Sequence, residues 1–207
     1  DLSWNYGYNH LTFHTQNSIN YALGTTSPTR FRDGALEYTQ NVVNADLARA
    51  LDWGGAYPAT FSLGAEYRAE KWNQSPGHPD SYFGSGAQGF GGFTPANAGH
   101  HDRDNWAVHA GLEGDLSERF SAGAAVRYED YSDFGSETSG KLSARFAFTD
   151  TVALRATVAS GFRAPSLAQQ HYQAVTTNFT SGVAYESGTF PVDSPAALAL
   201  GAEPLRA

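Results

Sequence analysis

Three groups of side chains in this sequence have the types and spacing that chemistry would need. His100-His101-Asp102 with Asp104 offers imidazole and carboxylate donors to a metal. These residues fall in an outer loop on the present reading, and adjacent residues of an extended chain point to opposite faces, so they make a poor chelate. Glu129, Asp130, Asp133 and Glu137 could supply carboxylates to calcium. They lack the regular ligand ladder of a calcium loop and read as a solvated acidic edge. The glycine run from Gly84 to Gly92 has no following lysine and no strand-to-helix setting, which argues against a phosphate cradle. Its aromatic neighbours Tyr82, Phe83, Phe90 and Phe93 are the better candidates for contact with a small solute, on a loop free to vary. No Ser-His-Asp spacing, paired-carboxylate motif or His-Glu-x-x-His run is present. The expectation is no enzyme, no metal site and no cofactor.

The elements that carry these groups are bounded by composition. Aromatic residues make up 14% of the 207 residues, and charged residues only 16%, well under what water-facing globular chains carry. Something other than water can face part of this surface. The absence of cysteine removes disulfides, thiol nucleophiles and Cys-based zinc sites. A formal net charge of −8 leaves no basic face for a phosphate backbone, so nucleic acid is not an expected partner. No run approaches the roughly 18 apolar residues of a membrane helix. A membrane β-barrel stays open, because its strands alternate and never give a continuous apolar run.

From Asn105 onward the period is two. Trp106, Val108, Ala110, Leu112 and Leu116 share one face, and His109, Glu113 and Asp115 the other. After the polar turn Ser117-Glu118-Arg119, Phe120 to Tyr128 restart the pattern, with Arg127 and Glu129 opposite. Leu142 to Phe148 follow against Arg145, then Val152 to Val158 against Arg155. Upstream, Phe61, Leu63, Ala65, Tyr67 and Ala69 alternate with Glu66 and Arg68, preceded by a turn at Asp52-Trp53-Gly54-Gly55 and a strand carrying Val43, Ala45 and Leu47. At the N-terminus, Leu2, Trp4, Tyr6 and Tyr8 hold the even phase while Leu11 and Phe13 hold the odd one, which predicts a bulge near Asn9-His10.

Such faces suit an antiparallel up-and-down transmembrane β-barrel. Its apolar side meets lipid, and Glu66, Arg68, Glu113, Arg127, Glu129, Arg145 and Arg155 line a wet lumen. Connections near Asp52, Ser117 and Thr149 are short. Those at 20–35 and 73–103, and everything after Arg163, are long and rich in Gly, Pro and Ser, which marks the extracellular side. Within the last, Ser194-Pro195 opens a short helix over 194–200 that Gly201 ends. Residues 1–165 are therefore expected to form a partial barrel, and 166–207 an extracellular loop segment.

Arg127-Tyr128-Glu129-Asp130-Tyr131-Ser132-Asp133-Phe134-Gly135, then Gly140-Lys141-Leu142, then Ser160-Gly161-Phe162-Arg163-Ala164-Pro165-Ser166-Leu167 resemble, in this order and spacing, the barrel of TonB-dependent receptors. The similarity extends to Gly64-Ala65-Glu66-Tyr67-Arg68 and to Phe190-Pro191-Val192-Asp193-Ser194-Pro195. Of the motif residues Gly161, Phe162, Arg163, Pro165 and Ser166, the glycine and phenylalanine are expected to give a thin backbone spot and a girdle aromatic at the rim. Pro165 is expected to end the ladder by removing a donor.

The resemblance implies an outer-membrane receptor for a scarce solute such as an iron-siderophore, admitted when TonB acts on a plug inside the barrel. Its partners would be outer-membrane lipid, TonB, the plug and the solute. Neither plug nor TonB-contacting segment is recognisable here, and transporters of this class have about 22 strands against the roughly seven counted, so an internal barrel fragment is expected. Two alternatives stand beside it. One is the wall of a non-transport barrel of the adhesin or autotransporter type, which would share the girdles without the Gly161-to-Leu167 motif. The other is a secreted β-sandwich module, which would need a second sheet over its apolar face.

Overall fold

Alternation of the kind read above leaves a backbone no choice but extended pairing, and the computed structural model, which describes residues 1–52, 57–181 and 183–203, consists mainly of strands. Seven form one antiparallel sheet in sequence order: β1 (Leu2–Gln16), β2 (Arg30–Leu51), β3 (Ala59–Pro76), β4 (Gly99–Ser117), β5 (Phe120–Tyr131), β6 (Gly135–Ala147) and β7 (Ala153–Ala159). A separate hairpin pairs β8 (Ala174–Thr180) with β9 (Val183–Thr189). Short helices α1 (Pro79–Tyr82), α2 (Leu167–His171) and α3 (Pro195–Ala199) lie in the connections. The turn expected at Asp52-Trp53-Gly54-Gly55 falls, from Trp53 on, outside the described residues.

Register converts the alternation into two faces. On one, Trp4, Val43, Tyr67 and Trp106 lie side by side across β1 to β4, and Phe120, Phe146 and Leu154 across β5 to β7. This face has no cover: Trp4 is 68% exposed, Leu142 64% and Val158 74%. A contiguous apolar surface on that scale is incompatible with bulk water and suits lipid. From Phe120 to Tyr128 the strand rises about 27 Å, which a tilt of about 40° reduces to about 21 Å, close to the apolar band of a membrane barrel. Tyr67 and Trp106 border the band as amphipathic rings, the tyrosine hydroxyl donating to Asp104 (2.8 Å) and the indole N–H to Asp130 (3.1 Å).

The longer strands continue past the band. A membrane crossing takes about 9–11 residues, whereas β2 has 22. β3 likewise runs to Pro76 and β4 begins at Gly99, so the long connections shrink to 17–29 and 77–98. The His-Asp cluster therefore lies on β4 rather than in a loop. Long connections still share one rim, with one short exception, the three-residue turn between β5 and β6.

Three further expectations are corrected. β1 has no bulge near Asn9-His10; the register shifts between Phe13 and His14, where β2 carries the extra residue Asp33 beside Gly34 (φ 119°). Leu11 and Phe13 hold the odd phase because they turn to the inner face at this rim, where Phe13 packs against the loop rings of Phe90 and Phe93 and Leu11 stays half exposed. β7 pairs only to Ala159, with one further backbone bond from Ser160 N–H to the Gly140 carbonyl and a return bond from Gly140 N–H to the Ser160 hydroxyl, so the ladder ends before Gly161 and not at Pro165. The stretch after Arg163 is not merely a loop, since it contains the β8–β9 hairpin, whose Val, Thr and Phe alternation was visible but unread.

Buried side chains gather at the long-loop rim. Phe31, Trp72, Ala87, Phe93 and Leu167 are buried there, together with Asn20, Asp33, Glu70, Gln74, Ser81, Asn97, Arg103 and Asn105. The core of this chain is thus the space between the inner sheet face and the connections folded over it.

Candidate functional site

Of the expected lumen residues, Glu66, Arg68, Arg127 and Glu129 come together on the inner face. Arg68 donates to Glu66 (2.8 Å), and Arg127 lies 3.5 Å from Glu66 and 2.7 Å from Glu129. Glu113, Arg145 and Arg155 share that face toward the short-turn rim, and among the described residues none of the three forms an ion pair. Arg145 even sits directly opposite Arg155, a like-charge pairing that high-dielectric water tolerates and a dry interior does not. A trough of about 540 Å³ runs between the acidic wall at Glu113 and Asp115 and the basic wall at Arg145 and Arg155, over a floor including Gly123 and Ser143.

At the long-loop rim the same face is closed. Arg103, 4% exposed, grips Glu70 through Nε (2.9 Å) and Nη2 (2.5 Å), reaches Asp133 (3.5 Å) and donates to the Pro165 carbonyl (2.7 Å). Tyr38 adds its hydroxyl to Glu70, and the Tyr131 and Phe134 rings lie 5.4 and 5.9 Å from the guanidinium. A buried guanidinium with carboxylate, carbonyl and aromatic partners is satisfied in a way no single pair could achieve.

Three of the five motif residues find roles around this hub. Phe162 packs on Tyr131 and Phe134 rather than in the outer girdle. Pro165 offers its carbonyl to Arg103, and Ser166 caps α2 through a reciprocal box with Gln169. Arg163 is exposed, and nothing near Gly161 explains its glycine, since a Cβ there would meet nothing within 4 Å. The segment after Pro165 then crosses back over β4 and β3. Gln170 donates to Asp133 (3.0 Å), His171 stacks on His101 at 3.6 Å with the planes 3° apart, and Gln74 donates to the Gln173 carbonyl (2.6 Å). Burial holds both imidazoles below the ordinary histidine range. His100 adds to the lowering at His101, and His101 and Arg103 add to it at His171, while Asp193 opposes it at both, with Asp102 at His101 and Asp133 at His171.

The four aromatic solute candidates divide. Phe93 is fully buried, edge-on to Phe13, Phe90 and Tyr172, and its backbone N–H bonds the Asp33 carbonyl, so it anchors its loop to the barrel. Phe90 joins that cluster half-buried. Tyr82 is half-buried in α1, and Phe83 is exposed at 55%. Asn20, wholly buried, ties the first loop to the second by donating to the Asp80 and Phe83 carbonyls. The rim carboxylates do not all converge: Glu137 sits directly opposite Glu129, which faces inward as Asp133 does, whereas Asp130 faces outward to Trp106, and no metal-ligand cluster occurs among the described residues.

Sequence reasoning missed Arg103, Glu70, Gln74 and Asn20. The one legible signal was Ser166-Leu167-Ala168-Gln169, a capping box that announces α2. The others are distant in sequence and ordinary in type.

A sheet with one lipid-compatible face, one charged face and loops folded over one rim defines an arc of a transmembrane β-barrel. The chain belongs to the TonB dependent receptor-like β-barrel family, whose model matches residues 1–202. Its fold is similar to the siderophore receptor PirA from Acinetobacter baumannii, with a TM-score of 0.62 at 12% identity over 92% of this chain and 27% of that one. A mutant of the ferric enterobactin receptor PfeA from Pseudomonas aeruginosa gives 0.60 at 17% identity over 84% of this chain and 25% of that one. PfeA in complex with BCV-L6 gives 0.53 at 20%, with 84% and 25% covered. The chain spans about a quarter of these receptors' length. No curated protein matches it.

Proposed function

We propose that this chain is part of the wall of a bacterial outer-membrane receptor that takes up a scarce solute, such as a ferric siderophore, under the action of TonB. The observation that carries the reading is the family match over 1–202 on a sheet whose two faces are sorted for lipid and water. Lipid surrounds the apolar band, a plug occupies the side lined by Glu66, Arg68, Glu113, Arg127, Glu129, Arg145 and Arg155, and residues 166–207 lie outside the cell. The wall has no catalytic task and holds no cofactor; its side chains position loops and line a passage. Phe83 and Tyr82 are the solute contacts of the 77–98 loop, while Phe90 and Phe93 hold that loop in place.

Uptake of labelled ferric siderophores by cells depending on the receptor that carries this chain, with and without TonB, tests the reading. Energy-dependent uptake of one siderophore class, reduced by Phe83→Ala, is the expected result. A receptor that reaches the outer membrane and gives TonB-independent entry would instead favour a passive barrel.

A further inference from the structure

Between the outer ends of β3 and β4 and the segment Pro165–Gln173 lies a contact that the uptake reading does not use. The segment is held at both ends and along its middle. Its start is fixed by Arg103 on the Pro165 carbonyl and its end by the paired amides of Gln74 and Gln173, the latter's N–H reaching Gln74 at 3.4 Å. Between these it is held by buried Leu167, by Gln170 on Asp133, by Tyr172 edge-on to Phe93, and by the face-to-face stack of His171 on His101, which itself tilts against buried Trp72 at 6.0 Å. We propose that Pro165–Gln173 is a strap across the barrel mouth, docked while the His101–His171 stack is neutral and released when the stack is protonated.

Two neutral imidazoles in parallel contact attract by stacking, whereas two imidazolium rings at that separation repel, more strongly at a half-buried contact than in open water. The charged surroundings decide the balance. Facing the pair are His100, Asp102 and Arg103 from β4, Asp133 from the β5–β6 turn, and Asp193 from the turn before α3. Arg103 and His100 oppose a further positive charge, and Asp133 already serves Arg103 and Gln170. With both imidazoles held below their ordinary range, the docked strap binds fewer protons than the free one. Docking is therefore complete above the ordinary histidine range and is lost as pH falls through the lowered values. His101 lies five residues beyond Trp106 on β4, outside the apolar band, where bulk pH reaches it.

The test is site-resolved hydrogen exchange on the receptor carrying this chain, in liposomes, with each rate divided by the intrinsic rate at that pH. Opening of 167–173 is expected to rise on the order of tenfold between about pH 7.5 and about pH 5, while β4 to β6 stay unchanged. His171→Phe keeps a stacking ring without the proton, and His101→Phe does the same from the other side; both are expected to flatten the response. A strap that ignores pH in the wild type, one that opens only together with the sheet, or a His171→Phe strap as acid-sensitive as the wild type would each overturn the proposal. The last outcome would assign the effect to the carboxylates. Because strap exchange is read without any solute, failure here is distinguishable from failure of the uptake reading.

Discussion

The membrane band and the long-loop rim are built from the same strands, yet they solve opposite problems. In the band the sheet is one layer thick, so every side chain faces either lipid or lumen and almost none is buried by the chain itself. At the rim, loops fold onto the inner face, and Arg103, Glu70, Gln74 and Phe93 become nearly inaccessible. The lesson is one of environment. Arg145 and Arg155 stand opposite each other at one end of the inner face with no ion pair among the described residues, while Arg103 on the same face is enclosed by Glu70, Asp133, Pro165 and Tyr131. Where water or lipid supplies the second layer, one polar or apolar residue per position suffices. Where the chain must supply it, each group needs named partners.

Substitutions in the receptor that carries this chain, read by thermal unfolding in detergent or lipid, can break or sharpen this contrast. Arg103→Ala leaves Glu70 buried without its cation and frees the Pro165 carbonyl, with an expected cost of about 3–5 kcal/mol. If the loss is under 1 kcal/mol, the hub is ornamental and the contrast fails. Phe93→Ala opens a cavity among Phe13, Phe90 and Tyr172, at about 3 kcal/mol, and loosens the 77–98 loop. Leu142→Arg places a charge at mid-band on the lipid face, at about 2 kcal/mol or more, and the penalty vanishes if that face is wet. Gly34→Ala asks a side chain to occupy φ 119° within 2.5 Å of the Ser75 carbonyl, at about 1–2 kcal/mol, and is a check on the bulge. Arg145→Ala removes a solvated charge and changes stability by less than about 0.5 kcal/mol; a large effect there would mean that the lumen end is dry.

Legibility follows the same division. Trp106 to Leu112 and Phe120 to Tyr128 could be assigned to strands and faces because, in a single layer, the environment alternates residue by residue and the sequence must alternate with it. The Gly161-to-Leu167 motif gave the family but not its role, since Phe162 and Pro165 act on partners about thirty to sixty residues away that periodicity does not reveal. Phe93 looked like a free aromatic on a glycine-rich loop for the same reason.

By itself the sequence determined the seven wall strands, most of their two faces, the rim that carries long connections and the barrel class, because each is a local consequence of alternation and turn chemistry. Only the tertiary structure decided that Arg103 is a hub, that Phe93 is an anchor and that His171 lies on His101. Those contacts join residues whose types are unremarkable alone, and they arise because loops folded over one end of a sheet must satisfy most of the polar groups they bury, Asp33 Oδ1 being an exception.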